Sequence, residues 1–273
     1  MNAPWVGVFD SGVGGLSVLR ALREQIPAQP LVYFADQAHV PYGPRPLEEV
    51  QAFAVEIVRF LVEQGARLVV VACNAASAAA LRHLRQVYPA IPFVGMEPAV
   101  KPAAETTRSQ VVGVLATPAT FQGALYASVV ERFAGDTLLL QDACPGLVSQ
   151  IEAGDLSGPA TRQILQTALN PMLASGIDTI VLGCTHYPFV IPLISEIAGP
   201  DVHVIDPAPA VARQAKRLLE SHGWLAEAVT PAPLRFITSG NAVEFQSMLL
   251  RLINISSEVK TARWVGNRLA IAG

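Results

Sequence analysis

Charge is what this 273-residue sequence has least of: Asp, Glu, Lys and Arg make up 15% and nearly cancel, to a formal net charge of −3. That leaves no electrostatic footing for a nucleic-acid or anionic-membrane surface, and neither partner is expected. Cysteine is scarce too. The three at positions 73, 144 and 184 cannot all pair and match no disulfide or zinc spacing, so reduced thiols in a cytoplasmic protein are expected. Apolar runs are broken by Gly, Cys or Pro before reaching membrane-span length, and no cationic segment precedes an apolar stretch at the N-terminus; neither a span nor a signal peptide is expected. Asn254-Ile255-Ser256 matches a glycosylation acceptor, which means nothing in the cytosol. Apolar residues are abundant, at 51%. They exclude long disorder and allow one large or two medium domains.

Strand-like and helix-like stretches alternate. Trp5–Phe9 reads as a short strand that breaks at Asp10-Ser11-Gly12-Val13-Gly14-Gly15 and passes into a helical pattern through Leu16, Leu19 and Leu22. Leu31–Ala35 is a second strand, followed by a polar loop with Pro41-Tyr42-Gly43-Pro44. A helix over Leu47–Gln64 leads to a strand at Val69–Val71 and to Cys73; Ala75–Tyr88 reads as helix and Pro92–Gly95 as strand. After Glu97-Pro98 the order restarts. Val111–Leu115 breaks at Ala116-Thr117-Pro118, Ile177–Leu182 runs to Cys184, and Val202–Ile205 ends in Asp206-Pro207. Equivalent points lie about 106 to 111 residues apart, a spacing that suits a duplicated half rather than a solenoid. The expectation is an α/β protein of two similar domains with parallel sheets: residues 1–98 plus about 208–273, and residues 99–207. Leu234–Thr238, with a helix after it through Phe245, Met248 and Leu252, reads as a crossing back to the first domain; the residues around Trp264 give no usable pattern.

Parallel sheets hold ligands at the carboxyl ends of their strands, where Asp10, the Tyr42 loop and Cys73 fall. Cys184 ends one apolar run as Cys73 ends another, so two thiols are expected to face one cleft. A lone cysteine is usually inert core. These two stand where a strand gives way to a polar residue, Asn74 or Thr185, and each is expected near a helix N-terminus, which lowers a thiol pKa from about 8.5. Cys144, in Asp142-Ala143-Cys144-Pro145-Gly146, lacks that placement and reads as structural. His186 shares a side with Cys184 if the chain is extended. Glu152 either supports His186 from behind or is a solvated helix-end carboxylate. The Asp10–Gly15 turn carries Ser17 where a dinucleotide fingerprint needs glycine, which speaks against a nicotinamide cofactor. Two readings stay open for it: backbone N–H groups holding a small anion with help from Ser11, or a tight turn capped by Asp10 or Ser11.

Phe9-Asp10-Ser11-Gly12-Val13-Gly14-Gly15-Leu16-Ser17-Val18, Pro41-Tyr42-Gly43, Ala72-Cys73-Asn74, Ala116-Thr117 with Thr120, and Gly183-Cys184-Thr185-His186-Tyr187-Pro188 together resemble the glutamate racemases of the aspartate/glutamate racemase family. Cys144-Pro145, Ile151-Glu152-Ala153-Gly154 and Thr238-Ser239-Gly240 before Phe245 fit as well. The resemblance covers nearly the whole chain. It implies two flavodoxin-like domains with glutamate between them, neither cofactor nor metal, and use of the product D-glutamate in peptidoglycan. It implies Cys73 and Cys184 as the acid–base pair, the first acting on D-glutamate and the second on L-glutamate, assisted by Asp10 and His186. The implied substrate site holds Asp10, Ser11, Tyr42, Gly43, Asn74, Ala75, Thr185 and His186, with Thr117 and Thr120 as additions and Glu152 in support. Threonine is common in the family where this chain has Ala75, so the backbone N–H there still serves the substrate while no hydroxyl does. A homodimer is also implied. Two alternatives stand beside this reading. One is an aspartate racemase, whose second motif reads Cys-Thr-Glu rather than Cys184-Thr185-His186; the other is a non-catalytic amino-acid-binding protein, which would be expected to lack a cysteine.

Overall fold

The computed structural model describes residues 3–227 and 231–272. Its strands, in chain order, are β1 (Trp5–Asp10), β2 (Leu31–Ala35), β3 (Ala66–Val71), β4 (Phe93–Gly95), β5 (Val111–Ala116), β6 (Leu138–Asp142), β7 (Thr179–Gly183), β8 (His203–Ile205), β9 (Leu234–Thr238), β10 (Val259–Val265) and β11 (Arg268–Ile271). They form a seven-stranded sheet in the order β11-β10-β9-β2-β1-β3-β4 and a four-stranded sheet in the order β6-β5-β7-β8. Every pairing is parallel except that of β10 with β11. The order β2-β1-β3-β4 at one end of the larger sheet is repeated by β6-β5-β7-β8. Both are the opening of the flavodoxin-like strand order.

Strands covered by helices on both faces read as continuous apolar runs, which is why β1, β2 and β3 were legible. Side chains alternate between the faces. Val6, Val8, Leu68 and Val70 pack into one core with Leu16, Leu19 and Leu22; Phe9, Val69 and Val71 pack into another with Ile57 and Leu61. Cys73 belongs to the second set and Ala72 to the first. The first core also takes in Leu115, Ile180, Leu182, Cys184 and Tyr187, so the two sheets are joined by shared apolar packing. The chain leaves the larger sheet after β4 and returns after β8, where helix Ala208–Ser221 packs on helix Leu16–Gln25 and β9 pairs with β2.

The region around Trp264 is a hairpin. Trp264 pairs with Leu269 and Val265 with Arg268 across a Gly266-Asn267 loop, where Gly266 has φ of +57°, the left-handed conformation that two-residue hairpin loops require. β6 is the other strand absent from the sequence reading. It lies at a sheet edge, where its three leucines, Leu138 to Leu140, are exposed or only partly buried.

Candidate active site

The carboxyl ends of β1, β3, β5 and β7 converge on one cavity of about 330 Å³. Cys73 follows β3 and Cys184 follows β7, and both thiols line it. Both are buried, at 5% and 6% exposure, and neither is in a disulfide. Ser11, Tyr42, Gly43, Asn74 and Ala75 from the first sheet's loops line the same space, as do Thr117, Thr185 and His186 from the second.

Cys73 is the N-cap of helix Asn74–Val87, and its Sγ accepts from the Ala76 N–H at 3.5 Å. The expected lowering of its pKa does not follow. Burial, and then the carboxylate of Asp10, push the Cys73 thiol well above its ordinary value and outweigh the one backbone donor. Past Cys184 the chain turns into a 3-10 segment, Tyr187–Val190, that runs directly into helix Ile191–Ala198, so a helix start lies three residues beyond this thiol but Cys184 is not its N-cap.

Asp10 is fully buried beside Cys73. Its Oδ2 accepts from the N–H of Gly15 at 2.8 Å and of Gly12 at 3.4 Å. Burial raises its pKa, against the pull of His186, the Gly15 N–H and Cys73. The Val13 N–H donates to Glu152 Oε1 at 2.8 Å. The protein's own carboxylates therefore take the N–H groups of Gly12, Val13 and Gly15, while the turn's Ser11 lies on the cavity wall. The N-cap residue of helix Leu16–Gln25 is Gly15 rather than Asp10 or Ser11, and the Asp10 side chain holds the turn from its start through the Gly12 and Gly15 N–H groups. Its glycines have a packing reason. A Cβ on Gly12 would collide with the Glu152 carboxylate and one on Gly14 with the His186 ring.

His186 is brought to Cys184 by a turn and not by extended chain, because its own backbone is helical (φ −73°, ψ −36°). Cys184 Sγ lies 3.8 Å from His186 Nδ1, and His186 Nε2 lies 2.6 Å from Glu152 Oε1. Burial disfavours the charged imidazole, but its hydrogen bonds to Cys184 and Glu152 prevail and raise its pKa well above the ordinary value. Ser17 Oγ lies 2.9 Å from the carbonyls of both Gly14 and Thr185, tying the glycine turn to the Cys184–His186 turn.

Three positions differ from the sequence reading. Thr120 is not at the cavity wall. It stands behind Thr117, whose Oγ1 is 3.2 Å away, and its hydroxyl reaches the Gly183 carbonyl. Asp10 likewise lies behind the wall and reaches the site through Cys73. Cys144, read as structural, lines the cavity with Ala143 and Pro145, on a backbone with φ of +44°. The Cys144-Pro145 segment was part of the resemblance but suggested no role. Asn74 is distinctive: among the described residues it is the buried side chain whose amide N and O both lack a partner, and it lines the cavity. Asp36, which the sequence reading did not single out, holds the Tyr42 hydroxyl at 2.6 Å.

The signature of the Asp/Glu/Hydantoin racemase family matches residues 6–215. A glutamate racemase of Pseudomonas paraeruginosa is 52% identical over 248 residues, covering 91% of this chain and 93% of that one. Among solved structures, a glutamate racemase isoform from Bacillus anthracis superposes with a TM-score of 0.85 at 33% identity, over 97% of this chain and 98% of the other. The Francisella tularensis glutamate racemase in complex with D-glutamate gives 0.82 at 29%, over 96% and 98%. The chain belongs to the Asp/Glu/Hydantoin racemase family and, within it, stands among the glutamate racemases.

Proposed function

We propose that Cys73 and Cys184 interconvert L- and D-glutamate by acting from opposite sides of the substrate α-carbon. The chain is an isomerase of the glutamate racemase group, and one observation carries the assignment of roles: both thiols line a single cavity. In the L-to-D direction the Cys184 thiolate, faced by the His186 imidazolium, takes the α-proton, and the Cys73 thiol delivers a proton to the opposite face. The thiol states are then exchanged, and the reverse reaction starts from that pair. Asp10 serves Cys73, while Glu152 holds His186 in place and charged.

Family resemblance implies no cofactor, so the carbanion is stabilised by hydrogen bonds to the substrate carboxylates. The unpartnered Asn74 amide supplies a donor and an acceptor, with Thr117, Thr185 and Ser11 beside it. The Ala75 methyl leaves only its backbone for such an interaction. The two-domain division at residues 1–98 with 208–273, and 99–207, agrees with sheet membership. Residence in the cytoplasm fits the unpaired thiols, and among the described residues no helix is long and apolar enough to cross a membrane. D-Glutamate made there supplies peptidoglycan. A homodimer completes the reading, tested by light scattering for twice the 29.0 kDa chain mass.

Circular dichroism of L- and of D-glutamate incubated with Cys73→Ala or Cys184→Ala tests the roles. Loss of a buried acid or base lowers kcat by about 1,000-fold or more in both directions. Either variant turning over at the wild-type rate would sink the assignment.

A further inference from the structure

Asp36 is a fully buried carboxylate that, among the described residues, faces four polar hydrogen-bonding groups and no Lys or Arg. It stands just past β2, where its N–H donates to the Asp10 carbonyl at 3.0 Å. Oδ2 receives the Tyr42 hydroxyl at 2.6 Å and lies 2.8 Å from His39 Nδ1. Oδ1 receives the Ser239 hydroxyl at 2.7 Å and the Trp264 indole N–H at 2.8 Å. Trp264 lies on β10, 228 residues away in sequence, and joins His39 and Phe53 in an aromatic cluster in which His39 stacks on Phe53 at 3.9 Å. One carboxylate thus connects the C-terminal hairpin to Tyr42, a wall of the substrate cavity.

We propose that Trp264 is a positioning residue for glutamate racemisation: through Asp36 it fixes the Tyr42–Gly43 wall of the cavity. The wall has little slack, since Gly43 accepts from the Ala119 N–H at 3.0 Å and a Cβ on Gly43 would stand 2.7 Å from Thr117 Cβ. An indole is a donor only, so its N–H has no other role here, and its loss leaves Oδ1 with Ser239 alone. The wall encloses the substrate but carries neither reacting sulfur. Loosening it weakens substrate and transition state alike, which raises KM and leaves kcat nearly unchanged. A purely structural role would lower stability without that split.

The inference rests on glutamate binding between the two thiols. The test is kcat and KM for both enantiomers in Trp264→Phe, Tyr42→Phe and the double variant. Trp264→Phe keeps the ring and loses the N–H. It raises KM by about three- to tenfold with kcat within about twofold, and the double variant is no worse than Tyr42→Phe alone, because the two share one path. Wild-type KM in Trp264→Phe, or effects that multiply in the double variant, would overturn the proposal. Should Trp264→Phe fail to fold, Ser239→Ala, which removes the other donor to Oδ1, decides by the same criteria. The two ideas fail separately: wild-type turnover in Cys73→Ala overturns the cleft, whereas a wild-type KM here overturns only the role of Trp264.

Discussion

At each thiol the neighbours differ, and the difference has a measurable form. Cys184 faces a histidine whose pKa is raised by its bonds to Cys184 and Glu152, against burial; Cys73 faces a buried carboxylate. The enantiomers have equal free energy in water, so kcat/KM must be the same in both directions for every variant. Asymmetry therefore appears in isotope effects. His186→Asn slows proton transfer at Cys184, so the primary effect with α-deuterated L-glutamate rises while that with α-deuterated D-glutamate falls; equal changes for both would argue against a Cys184-specific role. The pH dependence carries a sign as well. Burial and Asp10 both raise the Cys73 pKa, so kcat/KM climbs on the alkaline side of neutrality as thiolate forms. In Asp10→Asn one of those two causes is gone, and although the rate falls overall, its rise moves to lower pH. An unmoved profile would mean that Asp10 does not act on Cys73. Much at this scale was legible. Cys73, Cys184 and His186 stand where strands run out, and Ser17 speaks against a dinucleotide loop. Asp36 and Cys144 were not legible, because a polar loop and a short Cys-Pro turn declare no direction until the chain folds.

Among the elements, the Asp10–Gly15 turn bears most on the site. Its sequence left two readings open, anion binding or a turn capped by Asp10 or Ser11; Asp10 holds the Gly12 and Gly15 N–H groups, and Glu152, 139 residues further on, takes that of Val13. No local pattern announces Glu152. The glycines at 12 and 14 let the second sheet's Glu152 and His186 lie directly on the backbone of the first. Gly14→Ala should displace the imidazole and cost about 100-fold in kcat/KM, because small misplacements of catalytic groups carry penalties of that size. The overpacking costs roughly 1–3 kcal/mol in stability, read as a lowered urea midpoint. Near-normal activity in Gly14→Ala would show that the close approach is not needed. The hairpin around Trp264 went unread for a different reason. Its exposed, half-polar strands carry no apolar stripe, and the Gly-Asn loop alone was the available signal.

Taken whole, the molecule is two versions of one β2-β1-β3-β4 arrangement whose carboxyl ends meet. The period in the sequence announced the repeat, but could not say that the halves share a core or which surfaces oppose. That depends on packing between Leu115, Cys184 and Tyr187 and the first sheet's helices. Both thiols line one cavity, as the proposed inversion requires, and that proposal predicts where protons come from. The direct test is proton NMR of L-glutamate racemising in deuterium oxide, followed over the first turnovers. Two opposed thiols place solvent deuterium at the α-carbon of the D-glutamate formed, while the remaining L-glutamate keeps its hydrogen. D-Glutamate that retains the original α-hydrogen would contradict the account, since a single group would then have carried the proton from one face to the other.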